Sequence, residues 1–131
     1  MIAKQSSVRT VLVVDDSPAV RQRLCEVFTG ETGFEVCGQA ANGKEAVTKA
    51  ITLRPSLIVI DLSMPELDGL ATIRILKGVM PEVPFILYTA HDGAIVRDEA
   101  LKAGAADVVS KSSRLEVLLT RARALTGGAA A

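Results

Sequence analysis

Short apolar runs, each separated from the next by a stretch with helical periodicity, set the tightest limit on how this chain folds. Val8 to Val14 is nearly continuous β-branched and aliphatic sequence, Leu57 to Ile60 reads LIVI, Phe85 to Thr89 reads FILYT, and Asp107 to Ser110 reads DVVS. The nearly continuous runs Val8 to Val14 and LIVI belong to strands covered on both faces, and FILYT and DVVS read as the fourth and fifth strands. Phe34 to Ala41 supplies a further strand. Between the strands, apolar residues recur at helical spacing: Val20, Leu24, Val27 and Phe28; Ala46, Val47, Ala50 and Ile51; Leu70, Ile73 and Leu76. Ile95, Val96, Ala100 and Leu101 form a fourth set, and Leu115, Leu118, Leu119, Ala122 and Leu125 a fifth. Such stripes mark helices with one face on a core.

Five strands alternating with five helices imply right-handed crossovers and a parallel sheet. The 131 residues suit one domain and are too few for an eight-stranded barrel, so the expected fold is α/β, a three-layer doubly wound five-stranded parallel sheet. Element ends are punctuated accordingly. Ser17-Pro18 reads as N-cap and first helical position, and Pro55 stops the second helix. Asn42-Gly43 and Asp68-Gly69 read as turns. Asp92 is the expected cap of the fourth helix, Gly104 its closing glycine, and Ser113 with Glu116 a capping box for the fifth.

Lysine plus arginine equals aspartate plus glutamate, at 15 each. That balance argues against nucleic acid or a membrane surface as the direct partner, since both favour a basic excess. No apolar run approaches the roughly 18 residues of a membrane span, and MIAKQSSVRT lacks the apolar core of a secretory signal. Cys25 and Cys37 match neither a disulfide framework nor a metal spacing, so reduced thiols and a cytoplasmic location are expected.

In open parallel sheets, sites form beyond the carboxyl ends of the strands. Here strand one ends in Asp15 and Asp16, strand three in Asp61, strand four in Thr89, and strand five runs into Lys111. Taken singly, each reads as a cap, a turn residue or a solvated side chain. Together at four strand ends they define a crevice with three carboxylates, a hydroxyl and an amine. Three carboxylates repel unless a cation compensates them, and Mg²⁺ favours a few carboxylates plus water. With the ion bound, Asp61 is a candidate nucleophile toward phosphorus, with Thr89 and Lys111 to meet phosphoryl oxygens.

VLVVDDSPAVRQRL, LIVIDLSMPELDGL, ILYTA and VVSK, in this order and spacing, resemble the receiver domain of bacterial two-component response regulators. The resemblance spans roughly Val8 to Leu125, giving a receiver domain over 1–126 and a flexible tail or linker start over 127–131. It implies a flavodoxin-like strand order, 2-1-3-4-5. It also implies that Asp61 is the phosphoacceptor, served by a sensor histidine kinase or phosphotransfer protein. Asp16 would bind Mg²⁺ directly, Asp15 mostly through water, and the Ser63 carbonyl would complete the set with Asp61. Backbone N–H groups near Ser63 and Ala90 would assist Lys111 and Thr89 at the phosphoryl group. Pro65 and Gly69 match the loop that shapes the site. Phosphorylation would change the face formed by helix four, strand five and helix five, and so relay a signal. Further expected partners are a second copy of the chain and an output domain or effector protein. GFEVCGQAANGKEAV resembles regulators with a helix-turn-helix output. By the same resemblance the chain is not a metabolic enzyme and catalyses only its own phosphorylation and dephosphorylation.

Two positions depart from the family pattern. Val108 stands where an aromatic residue commonly swings inward; it reads either as the loss of that switch or as a β-branched residue on an exposed strand face. Ser112 follows Lys111 where the family commonly has a cis proline. A cis bond before a non-proline costs about 2.5–4 kcal/mol, so a trans bond is expected, with a rerouted loop that could draw Lys111 from the site. His91 falls near the site mouth, and Arg121 and Arg123 read as a solvated helix face.

These departures support a second reading, a receiver-fold protein-binding module that signals without phosphorylation. A third, a Mg²⁺-dependent phosphatase with an aspartyl nucleophile, would require an acid two residues after Asp61, where Ser63 stands. A nucleotide or flavin binder lacks its glycine-rich loop after strand one.

Overall fold

The computed structural model describes residues 8–127; of the tail assigned to 127–131, residues 128–131 lie outside the described residues. Elements alternate strictly: β1 Arg9–Val14, α1 Pro18–Thr29, β2 Phe34–Ala40, α2 Gly43–Leu53, β3 Leu57–Ile60, α3 Gly69–Val79, β4 Phe85–Thr89, α4 Ala94–Ala103, β5 Asp107–Ser110 and α5 Leu115–Leu125. The strands form one parallel sheet in the order β2-β1-β3-β4-β5, as expected.

The apolar runs are buried on both faces because two cores flank the sheet. Leu12, Ile58, Ile60, Phe85 and Leu87 face a cluster with Ala46 and Ala50 of α2, Ile73 and Leu76 of α3, and Ala100 of α4. Val11, Val13, Leu57, Val59 and Ile86 face the opposite cluster, with Leu24 and Phe28 of α1 and Leu118 and Ala122 of α5. This side-to-side alternation is the period-two geometry of a strand. It puts α2, α3 and α4 in one outer layer and α1 and α5 in the other.

Three helices start on side-chain caps. Ser17, Asn42 and Asp68 accept from the N–H groups of Val20, Glu45 and Ala71. Asn42 and Asp68 therefore do more than turn the chain. The caps expected for the last two helices are not used: α4 begins after Gly93 and α5 after Arg114, neither with a side-chain cap bond. The Ser113 N–H instead donates to the Ser110 carbonyl at 3.0 Å, which closes the loop one residue before the cap position Arg114.

Val108 corrects one expectation. Its side chain is buried in the α2/α3/α4 core, so it does not lie on an exposed strand face. Arg121 is exposed and Arg123 part-exposed on α5, in keeping with a solvated helix face, and each has a partner. Arg121 pairs with Asp107 and Arg123 with Glu31 across the fold. Asp107 also lies 3.8 Å from Arg97 of α4, whose guanidinium donates to the Val108 carbonyl at 3.0 Å. One carboxylate on β5 is thus held from α4 and from α5. Among the described residues no helix is long and apolar enough to cross a membrane.

Candidate functional site

Strand order places the acidic residues. β1 lies between β2 and β3, so the chain leaves β1 toward one side of the sheet and later returns on the other. The crevice at such a reversal is where open α/β sheets bind ligands. Val14 pairs with Ile60, and the Asp61 N–H donates to the Val14 carbonyl at 2.9 Å. Asp15 and Asp61 therefore leave the sheet side by side. One carboxylate oxygen each from Asp15, Asp16 and Asp61 lies within 4.8 Å of the other two. Asp15 and Asp61 are buried, and Asp16 faces solvent.

Lys111 reaches this cluster from the far side of the sheet. Its N–H donates to the Thr89 carbonyl at 2.8 Å, extending the β4–β5 pairing by one residue. Its Nζ lies 2.8 Å from Asp15 Oδ2 and 3.2 Å from Asp61 Oδ1. The altered loop leaves this amine with the carboxylates. No described peptide bond is cis. Ser112 uses the N–H that a proline lacks, donating to Ser110 Oγ at 3.1 Å, and the two hydroxyls are 2.7 Å apart. That local turn replaces the proline in holding the loop.

The electrostatics follow from this crowding. Burial, and then the neighbouring Asp15 charge, push the Asp61 carboxyl above the usual range, and Lys111 only partly offsets them. Burial opposes the charge on Lys111, but its bonds to Asp15 and Asp61 outweigh that and raise its pKa. Three carboxylates and one ammonium leave two negative charges on hard oxygen donors. Among the described residues the cluster offers carboxylates alone, a donor set that fits a divalent ion of the Mg²⁺ class.

The remaining site residues sit on the same rim. Thr89 is fully buried at the end of β4, and its Oγ1 accepts from the His91 N–H at 3.0 Å. Its own hydroxyl proton is therefore not needed for that bond. Ala90 and His91 are exposed. Ser63 is exposed and shares with Asp16 a depression walled by Leu62, Met64, Asp68, Leu70 and Glu99. Gly69 lets the start of α3 pack onto this site, because a Cβ there would run into the Asp61 carbonyl oxygen. Helix α3 thus begins directly against the backbone of the central carboxylate.

Sequence reasoning missed two neighbours. Glu99 adds a carboxylate to the depression from α4. Arg21 donates from Nη1 to the Asp15 carbonyl at 2.7 Å and from Nε to Gln39 Oε1 at 3.2 Å. Neither lies at a strand end, and Arg21 works through a backbone oxygen, so no motif announces it.

Comparison with known proteins agrees with this fold. Residues 11–123 match the family described as the response regulator receiver domain. A protein-glutamate methylesterase/protein-glutamine glutaminase of Vibrio cholerae is 44% identical over 103 residues, which cover 77% of this chain and 27% of that protein. The response regulator domain of Thermotoga maritima CheB is 33% identical with a TM-score of 0.85, covering 92% of this chain and 97% of that one. A LuxR-family response regulator from Aurantimonas is 28% identical with a TM-score of 0.89, covering 93% and 87%. The chain spans less than a third of the length of the curated relatives it matches.

Proposed function

This chain belongs to the response regulator receiver domain family, and from that premise we propose that Asp61 accepts a phosphoryl group in a Mg²⁺-dependent reaction. The donor would be a phosphohistidine of a sensor histidine kinase or phosphotransfer protein. The observation that carries the reading is the single Lys111 ammonium bonded to both Asp15 and Asp61, with Asp16 beside them.

An Asp61 carboxylate oxygen attacks phosphorus. The phosphorus–nitrogen bond breaks as the phosphorus–oxygen bond forms, and the imidazole leaves with the electron pair. Asp61 must be ionised to attack, and Lys111 is the fixed positive charge that favours this against burial. The Asp15, Asp16 and Asp61 carboxylates and the Ser63 carbonyl are the groups that would hold Mg²⁺. When bound, the ion supplies positive charge to the phosphoryl oxygens. Lys111 and the Thr89 hydroxyl would take the remaining oxygens, with N–H groups near Ser63 and Ala90. Water attack on the acyl phosphate returns Asp61 and phosphate, and His91, exposed at this rim, would influence that water's access.

The receiver is a regulatory domain and not a metabolic enzyme. The methylesterase activity that names several relatives belongs to those longer proteins. The partners we propose are the phosphodonor, an output domain or effector protein, and a second copy of the chain, in the cytoplasm. The signal would leave through α4, β5 and α5. A ligand-biased equilibrium of this kind needs contacts that differ between two states. Thr89 can supply one, by turning from the His91 N–H toward a phosphoryl oxygen. Buried Val108 has too little volume for an aromatic swing, so loop and α4 shifts would carry the change.

The second reading, binding without phosphorylation, rests on Val108 and Ser112. The retained Lys111 contacts weigh against it. Incubation with acetyl phosphate and Mg²⁺, followed by intact mass measurement, separates the two. One added phosphoryl group is expected on the parent protein and none on Asp61→Asn. An unmodified parent protein overturns the phosphoacceptor reading.

A further inference from the structure

The turn between β1 and α1 is closed by a ring of hydrogen bonds that returns to its starting residue. The Ser17 N–H donates to Asp15 Oδ1 at 2.9 Å, and the Arg21 N–H donates to the Ser17 carbonyl at 3.0 Å. The Arg21 guanidinium then donates to the Asp15 carbonyl at 2.7 Å. Asp15 is the last residue whose N–H follows the sheet, donating to the Ala40 carbonyl at 3.0 Å. Its carbonyl lies beyond the ladder, and Arg21 supplies its partner. That carbonyl belongs to the peptide group joining Asp15 to Asp16. Fixing it fixes the peptide plane from which Asp16 starts, and so narrows the directions open to the exposed Asp16 carboxylate. The second guanidinium bond, to Gln39 on β2, holds the plane of the fork.

We propose that Arg21 is a positioning residue of the cation site: it orients the Asp15–Asp16 peptide so that the Asp16 carboxylate stays with Asp15 and Asp61. The inference rests on the reading that these three carboxylates bind Mg²⁺. Its sign makes it sharp. Arg21 is a cation close to a cation site, so by charge alone its removal tightens Mg²⁺ binding. As a positioning residue, its removal weakens binding. Partners that orient metal ligands from the next shell out typically change affinity by 10–100-fold.

The test is calorimetric titration of the metal-free protein with Mg²⁺. Arg21→Gln is expected to weaken binding on the order of 10-fold, with a folded far-ultraviolet spectrum. Gln39→Ala keeps the Asp15 contact and is expected to lose less. Arg21→Lys keeps the charge without the two-pronged fork and is expected to fall between Arg21→Gln and the parent. It also serves as the deciding variant if Arg21→Gln does not fold. A merely structural role lowers the melting temperature and leaves the affinity of the folded protein unchanged. Parent-like or tighter binding in Arg21→Gln, or parent-like binding in Arg21→Lys when that variant decides, overturns the inference and leaves the metal site standing. Failure of the parent protein to bind Mg²⁺ overturns the metal site and this inference with it.

Discussion

Lys111 Nζ touches Asp15 Oδ2 at 2.8 Å and Asp61 Oδ1 at 3.2 Å, so one ammonium ties the carboxyl ends of β1 and β3 to the end of β5. Removing it leaves two buried carboxylates facing each other. Lys111→Ala should cost about 1–3 kcal/mol in chelator, a range set by hydrogen bonds to charged groups. Because the variant has lost its internal cation, added Mg²⁺ should stabilise it more than it stabilises the parent. Chemical unfolding with and without Mg²⁺ checks both outcomes.

The charge on Asp61 is disfavoured in the metal-free fold, first by burial and then by Asp15. Its folded pKa lies above the unfolded one, so its contribution to stability is full below the unfolded pKa and is lost as pH rises through the folded pKa. Asp61→Asn should therefore be more stable than the parent at neutral pH without metal, by about 1 kcal/mol, the common scale of point substitutions. The advantage should vanish below about pH 4, the ordinary aspartate range. Thermal unfolding of both proteins across pH, in chelator, gives the comparison.

Val108 is buried among the small and aliphatic side chains of the α2/α3/α4 core. Restoring an aromatic residue there should overpack it. Val108→Tyr is expected to lose about 1–3 kcal/mol, read from denaturant midpoints at constant slope.

Gly69 gives a more local test. Any Cβ at this position meets the Asp61 carbonyl, which is backbone and cannot swing aside. Gly69→Ala should destabilise the fold by about 2–4 kcal/mol and weaken Mg²⁺ binding, because the start of α3 must lift from the central carboxylate. An alanine at Gly78, where a Cβ has open space, is the control.

How far the sequence carries depends on the range of each interaction. The strands were legible because burial on both faces leaves unbroken apolar runs, and chain order with handedness then fixes a parallel sheet. Asp15, Asp16, Asp61 and Lys111 were legible as strand-end residues, and the fold brings them together. The caps of α4 and α5 were not, because a one-residue shift in where a helix begins changes which side chain can reach its free N–H groups. Asp92 and Ser113 each stand one residue too early. Strand β5 is only four residues long, so its pattern could not say which face holds Val108. The Ser110–Ser112 turn was hidden because a serine hydroxyl that closes a loop looks like any polar residue. Asp107 with Arg97 and Arg121, and Arg123 with Glu31, are pairings across the fold that no local pattern encodes.

The doubly held Asp107 carries a mechanical consequence. Arg97 grips it and the neighbouring carbonyl from one layer of helices, and Arg121 grips it from the other. These three side chains link α4 to α5 around the sheet's outer margin, apart from the packed interior. High salt, which loosens such grips at the surface, would weaken this link and leave the packed centre intact.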